Sequence, residues 1–310
     1  MSTYQVAVVQ AASVLFDLET TLQKVESLVN DSAQRGAKLV LFPEAFLSVY
    51  PRGLNFGTVV GSRTEQGRLL WQKYWDSSVA EGDQACNRLA ELAKKAQVFL
   101  VIGVNEKDTI SGTLYCSLFY FSPHGEFIGK HRKTKPTGQE RVIWGEDDGS
   151  TLSTFKTVYG SIGGLICWEN YMPMARMAMY QKGVQLYLAP TADARENWQA
   201  TMKHIALEGR CFVLASNQFV QKSMYPAELQ AALSDQPEVM SRGGSVIIDP
   251  LGEVLAGPLW DEEGIITAEI NLDRVTQAKL DFDPIGHYHR PDLFNLTVKN
   301  MPAIKHVDEL

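Results

Sequence analysis

Apolar and polar positions follow two different periods along the chain, and these periods predict strands and helices in regular succession. The segment YQVAVVQ near the N-terminus alternates with the period of two that is typical of a strand. From Leu18 to Arg35 the apolar residues are three or four positions apart, which predicts an amphipathic helix that ends at Gly36. The apolar run KLVLF follows and stops at Pro43. Together these elements predict a β-α-β unit.

The pattern continues beyond this unit with helices, strands and hairpins. A second amphipathic helix is predicted from Asp83 to Ala96, and the buried strand VFLVIGV follows it. The strands TLYCSLFYF and EFIGKHR flank the turn sequence SPHG, which predicts an antiparallel hairpin. The second half predicts the strands VYGSIGGLI, QLYLAP, CFVLASN and IITAEI, the hairpin SVIIDPLGEVLAG, and helices at Pro173–Gly183, Arg195–Arg210 and Leu272–Leu280.

No break in composition marks a linker, so residues 1–280 are predicted to form a single α/β domain of mixed sheets covered by helices. Residues 221–242 are polar and poorly patterned, and we expect a long surface loop there. Residues 281–310 are predicted to form a C-terminal arm.

The composition excludes several classes of partner. Hydrophobic residues make up 45% and charged residues 21% of the chain, as in ordinary globular proteins. The net charge of -7 argues against nucleic acid or an anionic membrane surface as the main partner. No apolar run reaches about 18 residues and no signal peptide is evident, so a cytoplasmic location is expected. The C-terminal HVDEL is similar to a retention signal of the endoplasmic reticulum, which could not be read without an entry signal.

Three reactive side chains follow predicted strands. Glu44 comes after KLVLF, Lys133 after EFIGKHR, and Cys167 after VYGSIGGLI. In open α/β sheets, ligands bind in the crevice beyond the carboxyl ends of the strands. The sequence therefore predicts that a carboxylate, an amine and a thiol meet at one site.

Cys167 has the strongest context of the three, in the stretch GGLICWENYMP. It precedes a predicted helix, whose N-terminal amides would favour a thiolate. The backbone N–H of Trp168 could donate to negative charge on the attacked group. The alternative is a small buried hydrophobic residue, which is our interpretation of Cys86, Cys116 and Cys211. The wide spacing of the four cysteines argues against a zinc or redox motif.

A cysteine nucleophile needs a base, and none of the six histidines lies in a recognisable cysteine-protease setting. Glu44 can act as general base and acid if burial raises its pKa. Lys133 can pair with this carboxylate and stabilise a tetrahedral intermediate. The alternatives are a surface carboxylate at Glu44 and one exposed charge of the basic run KHRKTK at Lys133.

The motifs FPEAF, HRKTKPT, ERVIWGEDDGS and CWENYMP, in this order, resemble the nitrilase family of carbon–nitrogen hydrolases. The resemblance extends through APTADAR, SRGGSVIIDPLGE and GHYHRPDLF, and CWEN together with RKTKPT resembles the nitrilase branch. It implies a Glu-Lys-Cys triad of Glu44, Lys133 and Cys167. It also implies that Glu140 holds the lysine and helps to position the substrate.

The same resemblance implies a four-layer α-β-β-α sandwich of mixed sheets. Dimers would pair across helices, including Met174–Lys182, into an eight-layer block, although Met174, Met177 and Ala178 could equally be core residues. The implied activity needs no cofactor: a small nitrile and two waters give a carboxylic acid and ammonia through a covalent thioimidate and thioester on Cys167.

Two other functions remain open at this stage. One is an amidase or carbamylase with the same triad, and the other is a non-enzymatic binding or scaffold protein on this fold. Tyr50, Trp168 and Trp198 lie near strand ends and could line the substrate pocket, or could simply be packing residues. His287 and His289 could share a face as metal ligands, but no third ligand is nearby, so no metal site is predicted.

Overall fold

The computed structural model describes residues 3–307, which fold into two β-sheets with helices on their outer faces. The strands are β1 Tyr4–Gln10, β2 Ala37–Leu41, β3 Phe99–Lys107, β4 Leu114–Phe121, β5 Phe127–Arg132, β6 Thr154–Thr157, β7 Gly160–Gly164, β8 Leu186–Leu188, β9 Phe212–Ala215, β10 Phe219–Gln221, β11 Val239–Ile248, β12 Val254–Trp260, β13 Gly264–Ile270 and β14 Lys305–His306. The α-helices are α1 Leu18–Gln34, α2 Glu65–Asp76, α3 Gln84–Ala96, α4 Pro173–Gln181, α5 Asn197–Gly209, α6 Ala227–Gln230 and α7 Asp273–Ala278. Short 3₁₀ helices lie at Gly138–Val142, Cys167–Tyr171, Lys222–Met224 and Ala231–Leu233.

Both sheets are mixed, and their topology places the predicted site at the carboxyl ends of strands that point the same way. The first sheet has the order β13-β1-β2-β3-β4-β5, and the second has the order β10-β11-β9-β8-β7-β6-β14, with β12 paired to β11. In the first sheet β2 is parallel to β3, while β4 is antiparallel to both β3 and β5. Strands β2 and β5 therefore point the same way. In the second sheet β7, β8 and β9 are mutually parallel.

Three apolar cores hold four layers together. In β1 the side chains of Val6 and Val8 enter the core between the two sheets, whereas Ala7 and Val9 enter the core beneath α1 and α3. The third core lies between the second sheet and the helices α4 and α5. This alternation gives each sheet two buried faces, because helices cover the side that the other sheet leaves open. The α-β-β-α sandwich implied by the sequence is confirmed.

Most predicted helices have the expected bounds, and their caps explain why. Helix α1 begins after Asp17, whose side chain accepts a hydrogen bond from the Thr20 backbone N–H, and α3 begins after Asp83 in the same way. The prediction of one strand for VYGSIGGLI was wrong, because Val158 and Tyr159 form the turn between β6 and β7. Helix α2 was not predicted at all.

The expectation of a long loop at 221–242 was also wrong. This segment contains two short 3₁₀ helices and α6, and β11 already begins at Val239 rather than at Ser245. Within it Leu233 is fully buried in the core between the sheets. A single apolar side chain in a polar stretch has no period, so pattern reading could not detect it.

The C-terminal arm follows α7 and returns to the second sheet, where β14 pairs in parallel with β6. The division of the chain at residue 280 stays a prediction. Residues 308–310 of the HVDEL segment lie outside the described residues. Between residues 3 and 307 no helix is long and apolar enough to cross a membrane.

Candidate active site

Glu44 lies in the loop that follows β2, and a close backbone contact fixes this loop. A Cβ atom at Gly103 of β3 would lie 2.1 Å from the Pro43 carbonyl oxygen and 2.6 Å from the Ala45 nitrogen, so only glycine fits there. Gln218 Nε2 also donates to the Glu44 carbonyl at 3.1 Å. The Glu44 side chain is only 1% exposed. The loop therefore holds a carboxylate in the interior between the sheets.

Lys133 follows β5 directly and meets Glu44 as predicted. Its Nζ donates to Glu44 Oε1 at 2.6 Å and to Glu140 Oε2 at 2.7 Å, and the side chain is fully buried. Burial alone would lower the pKa of this amine, but the negative charges of Glu44 and Glu140 outweigh it and hold the pKa well above its usual value. Lys133 is thus a permanent cation in the site.

The environment of the Glu44 carboxyl favours its neutral form, in contrast to the charged form of Lys133. Burial raises the pKa of Glu44, and the positive charge of Lys133 offsets this only in part. Its Oε2 atom is buried and has no hydrogen-bond partner of ordinary geometry within residues 3–307. The Cys167 thiol is nevertheless near enough to act as a donor that lowers the pKa of Glu44 somewhat. A carboxyl with one free oxygen and a raised pKa is suited to take up and return a proton.

Glu140 is held between two other groups besides Lys133. It lies on the 3₁₀ helix Gly138–Val142, where its Oε2 accepts the Thr137 backbone N–H at 2.7 Å. Its Oε1 accepts the Tyr50 hydroxyl at 2.7 Å. The structure therefore brings Glu140 and Tyr50 into one network with the lysine.

Cys167 lies at a tight turn between β7 and a 3₁₀ helix. A Cβ atom at Gly164 would lie 1.9 Å from the Leu188 carbonyl oxygen, so the end of β7 packs directly on β8. Cys167 itself has a φ of 51°, which an L-residue adopts only when its surroundings impose it. Its N–H donates to the Pro190 carbonyl at 2.8 Å, and the Thr191 hydroxyl donates to its Sγ at 3.2 Å. The turn presents the thiol beyond the end of the strand.

The expectation of a thiolate at Cys167 was wrong. Burial and the nearby charge of Glu44 raise the pKa of the thiol to about 12, and Lys133 and Thr191 offset this only in part. The group is therefore a neutral thiol at neutral pH. Its proton must leave as the sulfur attacks, which requires a base in contact with it.

Glu169 is a site residue that sequence reasoning missed. Its carboxylate is buried and accepts four hydrogen bonds: from the Ile166 N–H at 2.7 Å, the Thr134 N–H at 2.7 Å, the Thr134 hydroxyl at 2.5 Å and His131 Nε2 at 2.9 Å. Thr134 follows Lys133 and Ile166 precedes Cys167, so this one side chain ties the lysine and cysteine segments together across the two sheets. The available signal was an acidic residue inside the otherwise apolar stretch around the cysteine, since a buried charge needs partners.

A cavity of about 410 Å³ opens at this network. Its lining includes Tyr50, Glu140, Cys167 and Trp168. The Trp168 ring is 40% exposed and its Nε1 donates to Asp193 Oδ2 at 2.9 Å. Trp198, in contrast, is 1% exposed in the core under α5 and is not among the cavity-lining residues of the described chain. The structure thus brings together every predicted site residue except Trp198.

Other reactive side chains lie elsewhere or make no cluster. Cys116 is buried beside the site, and its Sγ lies 3.6 Å from Glu44 Oε1. Cys86 and Cys211 are buried away from it, and all four cysteines are free thiols. His287 is exposed and His289 is half-buried in the arm. Across the described residues, no group of three or more His, Cys, Asp or Glu side chains is placed to hold a metal ion.

Comparison with known protein families adds an independent observation. The family model described as carbon-nitrogen hydrolase matches residues 5–280. The chain is 49% identical to an aliphatic nitrilase of Sinorhizobium fredii over 303 residues, which cover 97% of each protein. It is 49% identical to nitrilase 3 of Arabidopsis thaliana over 307 residues, covering 97% of this chain and 88% of that one. A bifunctional nitrilase/nitrile hydratase of Lupinus angustifolius is 48% identical over 307 residues, with 97% and 87% covered.

Solved structures agree on the fold at much lower identity. A carbon-nitrogen hydrolase from Helicobacter pylori superposes with a TM-score of 0.72 at 22% identity, covering 94% of this chain and 97% of that one. Nit3 of Saccharomyces cerevisiae, a member of branch 10 of the nitrilase superfamily, gives 0.71 at 21% identity, covering 93% and 97%. These matches establish the sandwich fold.

Proposed function

Because the chain belongs to the carbon–nitrogen hydrolase family and is a nitrilase, we propose that Cys167, Glu44 and Lys133 form the centre that hydrolyses its nitrile substrate. The observation that carries this assignment is the buried contact of Lys133 with Glu44 and Glu140, next to a thiol that cannot ionise by itself. The overall reaction consumes a nitrile and two waters and releases a carboxylic acid and ammonia.

In the first step the Cys167 sulfur attacks the nitrile carbon. A sulfur–carbon bond forms, one bond of the C≡N triple bond becomes a nitrogen lone pair, and the thiol proton passes through Glu44 to that nitrogen. The result is a thioimidate. The free Oε2 atom of Glu44 and the raised pKa of this carboxyl both support the proton transfer.

In the second step Glu44 takes one proton from a water molecule, the water oxygen adds to the thioimidate carbon, and the other water proton moves to the nitrogen. The product is a tetrahedral intermediate that carries an oxyanion, an amino group and the Cys167 sulfur. Lys133 supplies a fixed positive charge beside it, which stabilises the negative charge that develops. The Trp168 backbone N–H is our proposed second donor. Collapse of the intermediate with a proton from Glu44 releases ammonia and leaves a thioester.

A second water molecule then hydrolyses the thioester. Glu44 takes a proton from this water, the carbon–sulfur bond breaks, and the proton returns to the Cys167 sulfur. The acid leaves and the enzyme is restored. Glu140 and Tyr50 keep Lys133 in place throughout, since Glu140 holds both the amine and the Tyr50 hydroxyl.

The test is ammonia and acid release from a panel of small nitriles and their matching amides, with wild-type protein and Cys167→Ala. Hydrolysis of nitriles that is lost in the variant supports the proposal. Hydrolysis of amides alone would move the protein to the amidase alternative. A Cys167→Ala variant that still releases ammonia from nitriles would remove Cys167 from the mechanism.

We also propose a cytoplasmic location and self-association. Four free buried thiols are compatible with a reducing compartment. For the predicted interface helix, Met174 is 68% exposed and Met172 just before it is 40% exposed, whereas Ala178 is fully buried in the core. Exposed methionines at the start of α4 are typical of an interface. Sedimentation of wild-type protein and Met174→Glu would show whether this helix carries a dimer.

A further inference from the structure

Three arginines line the cavity that contains Cys167, namely Arg52, Arg195 and Arg242. Two of them have carboxylate partners. Arg195 Nε donates to Asp193 Oδ1 at 2.8 Å, and its Nη2 donates to the other oxygen of the same carboxylate. Arg242 contacts Asp261 at 2.9 and 2.8 Å through Nε and Nη2. The positive charges of these two guanidinium groups are therefore balanced by neighbouring carboxylates.

Arg52 differs from both. Within residues 3–307 it makes no ion pair, and its side chain is only partly exposed. Its Nη2 donates to the Ala192 carbonyl, while Nε and Nη1 have no acceptor among the described residues. The guanidinium lies 5.2 Å from the centre of the Tyr50 ring, and Tyr50 donates to Glu140. Arg52 is therefore an incompletely satisfied cation on the wall of the catalytic cavity.

Such a group has a defined chemical preference. A guanidinium presents its N–H groups as a fork that matches the two oxygens of a carboxylate. A partly desolvated cation without a counter-ion gains when a ligand supplies the anion. We propose that Arg52 binds a carboxylate carried by the substrate, so that the preferred substrates are aliphatic cyano-carboxylates rather than neutral nitriles. This substrate class rests on the proposed nitrile hydrolysis at Cys167.

The charge of the cavity supports the same conclusion. The whole chain carries a net charge of -7. Around the cavity, however, Arg195 is paired with Asp193, Arg242 with Asp261, and Lys133 with Glu44 and Glu140. Among the described residues, Arg52 is the cavity-lining arginine whose charge has no carboxylate partner. The cavity wall at Arg52 is thus locally positive in an acidic protein, which attracts an anionic substrate and repels a cationic one.

The test compares substrates that differ only in this charge. Kinetics are measured for 3-cyanopropanoate, 4-cyanobutanoate and 5-cyanopentanoate beside their methyl esters, because the series varies the distance between nitrile and carboxylate. Each cyano-carboxylate yields ammonia and a dicarboxylate with two waters. For the best chain length we expect the wild-type kcat/KM to exceed that of the ester by roughly 100-fold, through KM.

Arg52→Gln should remove this preference. We expect the kcat/KM for the cyano-carboxylate to fall roughly 100-fold, and that for the methyl ester to change less than about threefold. Arg52→Lys should restore part of the preference, because it keeps the charge but not the fork. Arg242→Gln is the matched control, since it removes a guanidinium that Asp261 already neutralises in the same cavity.

Two outcomes would overturn the proposal. One is equal wild-type kcat/KM for every acid and its ester. The other is an equal loss for both substrates in Arg52→Gln, which would mean that Arg52 only holds the Ala192 loop. Calorimetric binding of 4-cyanobutanoate to Cys167→Ala, with and without Arg52→Gln, separates carboxylate recognition from turnover. A third outcome would separate the two proposals. If the wild-type enzyme is inactive on all nitriles but Cys167→Ala still binds 4-cyanobutanoate through Arg52, the proposed nitrile hydrolysis is refuted and carboxylate binding by Arg52 is not.

Discussion

Two lysines of this protein are almost completely withdrawn from water, yet their pKa values are shifted in opposite directions. Lys133 is fully buried and contacts the carboxylates of Glu44 and Glu140. Lys182, after α4, is 7% exposed, and its Nζ donates to the Leu152 carbonyl at 2.6 Å. Lys182 has no carboxylate partner within residues 3–307. Burial lowers the pKa of Lys182 to about 8, whereas the pKa of Lys133 is held well above its usual value.

The difference shows what keeps a cation in the active site. A backbone carbonyl satisfies the hydrogen-bonding capacity of an amine but supplies no compensating charge, so burial disfavours the ammonium form. Two carboxylates reverse that effect. Glu44 nevertheless keeps a raised pKa, because burial and the negative charge of Glu140 together outweigh the effect of Lys133. The site thus combines a fixed charge with a carboxyl that is easily protonated.

The largest expected effect comes from removing the shared cation with Lys133→Met. We expect kcat to fall by at least about 1,000-fold, because the tetrahedral intermediate loses its positive charge. Breaking a buried ion pair from one side should also cost about 3–5 kcal/mol of stability. Initial rates and urea unfolding measure the two effects. A folded variant with more than a tenth of wild-type kcat would contradict the assigned role.

The double variant Lys133→Met/Glu140→Gln serves as its control. It removes one of the two carboxylates left unpaired, so part of the lost stability should return while kcat stays low. Recovery of activity together with stability would mean that Lys133 acts only through folding.

A smaller effect is expected from Glu169→Gln, which breaks a buried charge pair that does not include Lys133. The amide cannot accept from Ile166, Thr134 and His131 together, so the turns that carry the lysine and the cysteine separate. We expect kcat to fall about 100-fold with KM changed less than about threefold, and stability to fall by about 3 kcal/mol. Steady-state kinetics at a temperature where the variant is fully folded provide the measurement. An unchanged kcat in the folded variant would limit Glu169 to stability.

Glu140→Gln should have a milder effect than either. The amide oxygen can still accept from Tyr50 or Lys133, but the negative charge beside the amine is lost. We expect about a tenfold decrease in kcat. Because Glu140 raises the pKa of Glu44 through its charge, the variant should also show a lower pKa in the pH profile of kcat. A profile that moves to higher pH would contradict this electrostatic coupling.

The smallest effect is expected at the other lysine. Lys182→Met should leave kcat unchanged within about twofold, and its stability at pH 7 should be within about 1 kcal/mol of wild type. In the folded wild-type protein Lys182 loses its proton at a pH of about 8, whereas in the unfolded chain it keeps the proton up to its ordinary pKa near 10.4. Between these two pH values the unfolded state therefore binds more protons than the folded state. Wild-type stability relative to the variant should therefore rise with pH across this window in urea unfolding. A difference independent of pH would show that Lys182 titrates normally.

The sequence was sufficient to predict that Glu44, Lys133 and Cys167 lie close together, because each of these residues follows a strand. Strand ends are visible in the apolar pattern, and β2 and β5 point the same way. Glu44 and Lys133 therefore meet as predicted, whereas Glu140 was expected beside the lysine only from the resemblance to the nitrilase family. The helices predicted to begin at Leu18 and Asp83 agree with α1 and α3 for an equally local reason, since the N-caps Asp17 and Asp83 depend on the few residues around them.

The features that were missed depend on contacts between distant segments. Glu169 binds Thr134 and His131, which lie 35 and 38 positions away, and no local pattern encodes such a pair. The charge state of Cys167 was misjudged because a helix start predicts a thiolate, whereas the surrounding protein removes water and adds the charge of Glu44. Trp198 was placed near the pocket by its position in the chain, although its side chain points into the core.

The pairing of β14 with β6 has a consequence for the behaviour of the protein in solution. An edge strand with free backbone N–H and C=O groups is a template for pairing with another molecule. Here Lys305 and His306 occupy the edge beside β6, and the added strand is only two residues long and polar. The end of the arm thus covers the edge of β6 and prevents this strand from pairing with another molecule. Loss of these residues would expose the backbone N–H and C=O groups of β6, and we expect the enzyme to aggregate more readily.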